Sequence, residues 1–255
     1  MVGTLGRLDL TGRVALVTGG GSGMGESSAH LMAERGAQVL VVDRNEEGAH
    51  RVAEAIGGAA AAFVADVSDP DACVAMVEAA KKAFGHLNIA VHSAGVADAG
   101  GTRVGETPVE TWRRIMSINL DGTFYCMRAE IPLLLEAGHG SIVNIGSIMS
   151  MAGLANAGAY TASKHGVLGL TRAAALEYGN MDLRVNAIGP GNMDTPMTKR
   201  PFSVPEVLAE QLSLQAMTRL GEAWEVAEMV AFLASDAASF CTGAWMGVDG
   251  GYTAR

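Results

Sequence analysis

One stretch of the chain has residue types and spacing suited to moving a proton at a carbon–oxygen bond. Ser147 follows an apolar run, Ser141 to Gly146, and Tyr160 and Lys164 follow in the segment Y-T-A-S-K. Ala162, Lys164, Val167, Leu168 and Leu170 read as one helix, and a spacing of four then puts phenol and ammonium on the same face. A phenol ionises near pH ~10, so trading its proton near neutrality asks for a downward shift of roughly 3 units, or about 4 kcal/mol. A cation ~4 Å away at an effective dielectric of ~20 supplies about 4 kcal/mol. The lysine alone is therefore expected to perturb the phenol enough. Ser147, expected at a strand end, is placed to donate a hydrogen bond to the same substrate oxygen.

The rest of the chain reads as the means of bringing a cofactor to this stretch. Arg13 to Thr18 (RVALVT) is a nearly continuous apolar run, as a strand buried on both faces of a parallel sheet requires. Thr18 is followed by Gly19, Gly23 and Gly25 in the spacing Gly-x-x-x-Gly-x-Gly, and then by a helical segment to Arg35. Strand, glycine turn and helix in that order form an anion site, with free amides facing a pyrophosphate. The next strand, Gln38 to Val42, ends at Asp43, whose carboxylate can accept from both ribose hydroxyls of an adenosine and repels a 2′-phosphate. Arg44 blurs that reading, but neither Gly21 nor Ser22 supplies a further cation, so NAD is favoured over NADP. Asp66, past the run Ala60 to Val64, has two open readings: acceptor for an adenine amino group, or cap of the helix after Pro70.

Downstream, Ala94 and Gly95 follow a strand at Leu87 to Val91 and are small enough for backbone to lie against a ribose. Thr107-Pro108-Val109-Glu110 reads as a capping box opening one long helix to about Ala137. Asn119 interrupts its interior, as kink stabiliser or as water holder beside the lysine. Arg184 to Ile188 is a further strand, and Lys199 to Met217 is irregular, as either a mobile substrate cover or an ordinary surface excursion would be. Glu222 to Leu233 is a last helix and Ala244 to Val248 a last strand. The alternation predicts a single α/β domain over residues 1–255, a doubly wound Rossmann-type fold with a parallel sheet and helices on both faces, with a substrate-covering segment at about 193–217.

Composition removes several functional classes. Charged residues make up 18% of the 255 and hydrophobic ones 49%, which implies hidden surface and an oligomer. A net charge of −9 argues against nucleic acid as a partner. No apolar run reaches membrane-spanning length and no signal peptide is visible, so neither a membrane nor export is expected. Cys73, Cys126 and Cys241 lack any metal or disulfide spacing and read as reduced thiols of a cytoplasmic protein. The histidines show no metal-ligand spacing, with His92 as the only one of interest, and no metal is expected.

Taken together, TGGGSGMG (Thr18 to Gly25), Asp66, Ala94-Gly95, Asn119, Ser147, YTASK, Pro190-Gly191, Thr195 and the final VDGG (Val248 to Gly251) resemble the short-chain dehydrogenase/reductase family along nearly the whole chain. The resemblance implies a catalytic set of Asn119, Ser147, Tyr160 and Lys164. In it, serine and tyrosine grip the substrate oxygen and tyrosine passes the proton. Lysine perturbs the tyrosine and holds the nicotinamide ribose, and asparagine anchors a water. Cofactor contacts are expected from Thr18, Gly19, Gly21, Ser22, Gly23, Met24, Asp43, Arg44, Asp66, Val67, Ser93, Ala94, Gly95, Tyr160, Lys164, Ile188, Pro190, Gly191 and Thr195. The resemblance also implies a homotetramer built on the long helices around Asn119 and Lys164, with the last strand as a second contact. One departure stands out: His92 and Ser93 occupy positions where the family usually has two asparagines.

The expected activity is NAD-dependent interconversion of a secondary alcohol and a ketone. Substrate contacts are expected from Ser147, Tyr160, Met149, Asn156 and Met193, within a wall that includes Met151, Leu154, Met197 and Phe202. Such a wall suits an uncharged ring or chain, such as a hydroxysteroid or cyclic diol. The alternatives are a 3-oxoacyl-thioester (acyl carrier protein) reductase using NADPH, and a non-catalytic NAD-sensing protein.

Overall fold

The computed structural model describes residues 4–97 and 101–254. Its first half runs β1 (Val14–Thr18), α1 (Gly23–Glu34), β2 (Gln38–Asp43), α2 (Glu46–Ile56), β3 (Ala60–Val64) and α3 (Pro70–Phe84). Then come β4 (Ile89–His92), α4 (Val109–Met116), α5 (Gly122–Glu136), β5 (Gly140–Ile145), α6 (Gly158–Tyr178) and β6 (Leu183–Pro190). The chain closes with β7 (Met193–Asp194), α7 (Pro196–Phe202), α8 (Pro205–Ser213), β8 (Gly221–Glu222), α9 (Ala223–Ala234) and β9 (Trp245–Val248).

Among the described residues, one sheet of seven strands runs in the order β3-β2-β1-β4-β5-β6-β9, with every pairing parallel. Strand residues alternate between two cores. Ala15 and Val17 of β1 pack with Met32 of α1 and Val226 and Val230 of α9. Val14 and Leu16 pack with Met76 of α3, Leu134 of α5 and Ala174 of α6 on the other face. Both faces are covered, which is why β1 reads as an unbroken apolar run. The chain winds from β1 outward to β3 and then restarts at β4 on the other side of β1. A crevice opens where the winding reverses, outside the carboxyl ends of β1 and β4.

Three local readings of the sequence are corrected by the structure. The helix predicted from Thr107 to about Ala137 is two helices joined by a π-helical segment, Ser117–Asp121. Its capping box does not form, because the Thr107 hydroxyl donates to Arg103 O and Pro108 takes the cap position. Asp69, not Asp66, caps α3 by accepting from Asp71 N, while Asp66 accepts from the backbone and hydroxyl of Ser68. The irregular stretch Lys199 to Met217 contains α8 and most of α7, each with proline in its first turn, where proline is compatible with a helix.

Candidate active site

The glycine turn after β1 is shaped by backbone packing. Gly19 has φ +65° and Gly23 φ +57°, in the left-handed region that favours glycine. A Cβ at Gly19 would lie 2.7 Å from Ala94 N, so the turn rests directly on the wall that follows β4. Between turn and wall lies a cavity of about 320 Å³. The turn contributes Gly19, Ser22, Gly23 and Met24. The ends of β2 and β3 contribute Asp43, Arg44, Asp66 and Val67, the wall contributes Ser93, Ala94 and Gly95, and Thr195 lines the cavity next to Gly23.

Asp43 is held rigidly at the cavity edge. Its Oδ2 accepts from Gly21 N at 3.0 Å and its Oδ1 from Asn45 N at 2.9 Å. A Cβ at Gly21 would approach the same carboxyl group to 3.0 Å, so Gly21 sits behind the site as its support. Amides at a helix start, a glycine cradle and a fixed carboxylate fit the adenosine and pyrophosphate portions of a dinucleotide.

Several residues expected at the cofactor lie outside that cavity. Thr18 supports the wall from beneath, its hydroxyl 3.5 Å from both Val91 O and Ala94 N. The Ile188 carbonyl accepts from Gly146 N at 2.8 Å, and Gly191 N donates to Val248 O at 3.0 Å, so that backbone, with Pro190 between, is engaged in the sheet. Val42, Asn45, Ala65, Val96, Ile118 and Pro196 line the cavity in addition to the expected residues. Val42, Asn45, Ala65 and Val96 adjoin expected residues at the strand ends. Ile118 is brought in by the π segment and carries no sequence signal. Met197, expected to touch substrate, also lines this cavity, whereas Met193 lines a second one, of about 420 Å³, with Gln215 and Asp249. Met149 is buried, Asn156 is exposed at φ 62°, and Met151 and Leu154 are exposed.

Two of the catalytic candidates, Lys164 and Asn119, meet at Gly95. Lys164 is buried, its Nζ donates to Ile145 O at 2.8 Å, and a Cβ at Gly95 would stand 3.7 Å from that nitrogen. The same Nζ lies 5.7 Å from the centre of the Tyr160 ring. Asn119 accepts from Val96 N at 2.8 Å and donates to Val96 O at 2.9 Å and Ser163 Oγ at 3.1 Å. Its side chain thus braces the π segment against the wall and against α6. Ser147 continues extended backbone after β5 and accepts from Met149 N at 3.1 Å, which starts a short turn and holds the hydroxyl beside Tyr160.

Electrostatics overturn the expected effect of the lysine. Burial raises the Tyr160 phenol above its ordinary value, and the neighbouring Ser147 hydroxyl only partly lowers it. Burial also depresses Lys164 from 10.5 to about 8. Desolvation disfavours the charged form of both groups, and the ammonium is turned to a carbonyl rather than to the phenol oxygen.

The family model described as enoyl-(acyl carrier protein) reductase matches residues 19–253. A cyclohexanol dehydrogenase of Acinetobacter sp. (strain SE19) is 44% identical over 247 residues, which span 95% of this chain and 96% of that protein. The chain belongs to the short-chain dehydrogenase/reductase family. A cis-4-hydroxycyclohexanecarboxylate dehydrogenase of Sinomonas cyclohexanicum is also 44% identical, over 95% of this chain and 97% of that one. The crystal structure of a 3-ketoacyl-(acyl-carrier-protein) reductase from Brucella melitensis superimposes with a TM-score of 0.90 at 36% identity, covering 96% of this chain and 100% of that one. As a short-chain dehydrogenase/reductase, the protein is an oxidoreductase acting at CH–OH groups with a nicotinamide cofactor.

In this short-chain dehydrogenase/reductase the buried lysine works against stability. With its folded pKa near 8 and a reference value of 10.5, the unfolded state binds more protons between those values, so stability rises with pH across that window. Below pH ~8 the charged, buried amine costs up to about 3 kcal/mol. Lys164→Met is therefore expected to raise stability at pH 7 while abolishing turnover, with the gain disappearing above pH ~10. Urea midpoints at the two pH values check this, and a variant destabilised equally at both would contradict it.

Proposed function

We propose that this protein is an NAD-dependent dehydrogenase of cyclic secondary alcohols, working as a single domain with Tyr160 as its general acid and base. The observation that carries the reading is the grouping of Ser147 with Tyr160 and of the Tyr160 ring, 5.7 Å away, with the Lys164 nitrogen, which stands against Gly95 in the wall of a cavity suited to a dinucleotide. When bound there, the nicotinamide supplies the hydride acceptor. Ser147 and Tyr160 hold the substrate oxygen; the neutral phenol donates its proton to a ketone, and the phenolate left once that proton has gone to solvent takes one from an alcohol. Lys164 places positive charge behind the phenol, and Asn119 fixes the wall against which the ribose lies.

Asp43 supports NAD over NADP, because a 2′-phosphate would face a carboxylate immobilised by two backbone amides. The ring preference rests on relatives whose names concern cyclohexane alcohols and on the apolar side chains of Met149 and Met197 near the site. A homotetramer accounts for Trp112 on α4, Phe124 on α5 and Leu176 on α6, all exposed apolar side chains on the helices around Asn119 and Lys164. Among the described residues no helix is long and apolar enough to cross a membrane, and the three free thiols suit a cytoplasmic setting.

Purified protein is expected to reduce NAD with cyclohexanol and related ring alcohols. Asp43→Ala should lower kcat/KM for NAD by about tenfold or more and raise it for NADP. Steady-state rates with both cofactors on ring alcohols and on an acetoacetyl thioester decide the matter. Faster thioester reduction with NADPH than ring-alcohol turnover with NAD would replace this reading by the 3-oxoacyl-thioester reductase.

A further inference from the structure

The strand that ends at the cavity wall also carries a buried polar chain on the side facing α5 and α6. His92 is the last residue of β4, one position before Ser93, and is 3% exposed. Its Nδ1 lies 2.6 Å from Oδ1 of Asn144, its register partner on β5, and its Nε2 lies 2.6 Å from Oε2 of Glu130 on α5. Glu130 is 0% exposed, and its Oε1 has no partner among the described residues. Asn144 Nδ2 donates to Thr171 Oγ1 on α6 at 2.9 Å, and that hydroxyl donates to Val167 O at 2.8 Å.

The direction of each hydrogen bond follows from the last. Thr171 directs its one proton to Val167, so its oxygen accepts from Asn144 Nδ2. That orientation turns the Asn144 carbonyl toward His92, and Nδ1 must carry a proton. Nε2 and Oε2 then need a second proton between them, because two bare acceptors facing each other in a buried site would be strongly unfavourable. Imidazole and carboxyl together hold two protons, and the pair is neutral overall.

We propose that His92 and Glu130 are a proton-sharing pair of positioning residues, which locks the cofactor-side wall after β4 to the helix that carries Tyr160 and Lys164. His92 is directly followed by the wall, and Thr171 stands two helical turns beyond Lys164 on the same face of α6. Movement of one relative to the other would change the approach of substrate oxygen to cofactor, to which rates are steeply sensitive. The direction of the His92 shift agrees: burial pulls it down, but the Glu130 carboxylate and the Asn144 hydrogen bond leave it raised. The other titratable groups facing the pair are Cys73 on α3 and Cys126 on α5, whose sulfurs stand 3.8 Å apart.

Nitrogen-15 labelling of histidine in the ligand-free protein tests the pair without any assumption about substrate. His92, assigned by loss of its signals in His92→Asn, should keep a protonated Nδ1 and a far-downfield shared proton from about pH 6 to about pH 9, and Glu130→Gln should remove the shared proton alone. An ordinary imidazole titration near pH ~6.5, or a bare Nδ1, would overturn the proposal. The positioning role rests on the dehydrogenase reading and is read from turnover of cyclohexanol with NAD. His92→Asn should lower kcat by about tenfold with KM for NAD changed less than about threefold, and His92→Asn/Glu130→Gln should recover part of the loss because no unpaired carboxylate remains. A double variant whose loss is the product of the two single losses would refute the pair as a unit. Failure of every alcohol with the wild-type protein would refute the dehydrogenase reading instead, and the spectrum would still decide the pair.

Discussion

Tyr160→Phe is expected to lower kcat by about 10³-fold while the dissociation constant for NAD changes less than about threefold. The ring stays, and with it the packing under the Lys164 nitrogen 5.7 Å from its centre. Only the proton donor is removed. A phenol is in its acid form at neutral pH, and burial raises this one further above its ordinary value, which suits ketone reduction directly. Alcohol oxidation requires that proton to leave, so wild-type oxidation should accelerate with pH more steeply than reduction does. Calorimetric titration of NAD beside initial rates in both directions measures these effects. Retention of more than about a tenth of wild-type kcat would remove Tyr160 from the mechanism.

Gly25→Ala is expected to be the most damaging small substitution in the cofactor turn. Its Cβ would come to 2.1 Å from Gly19 O and 2.7 Å from Gly19 C, both backbone atoms that cannot rotate away. Relief requires the turn to lift off α1. Overpacking of this kind costs about 3 kcal/mol, and displacing the amides from the pyrophosphate position should weaken NAD by about a hundredfold. Gly58→Ala is the control, since a Cβ there meets nothing within 4 Å. Denaturant midpoints and NAD titrations of both variants check the comparison. A Gly25→Ala protein that binds NAD like wild type would show that the turn is not the pyrophosphate cradle.

β1 and β2 are readable in the sequence because strands covered on both faces are continuous apolar runs, and the helix after β1 because a glycine turn opens it. An interruption at Asn119 is readable, but its π form is not: it is tied to the bonds from Asn119 to Val96, 23 residues away in sequence. Thr107 and Pro108 look like a capping box in every local respect, yet the threonine hydroxyl found Arg103 O instead. His92 was visible only as a departure from the family pattern, and its partner Glu130, 38 residues on, had no local signal at all.

The sequence by itself determined which chemical groups are present and, through apolar runs, glycine spacing and helical period, which strand ends and helix faces they occupy. Only the tertiary structure decided the surroundings of those groups. A spacing of four places an ammonium near a phenol, but the layers packed around α6 set the local dielectric and the competing hydrogen bond to Ile145. In that setting burial raises the tyrosine and lowers the lysine, the reverse of what their spacing alone suggests.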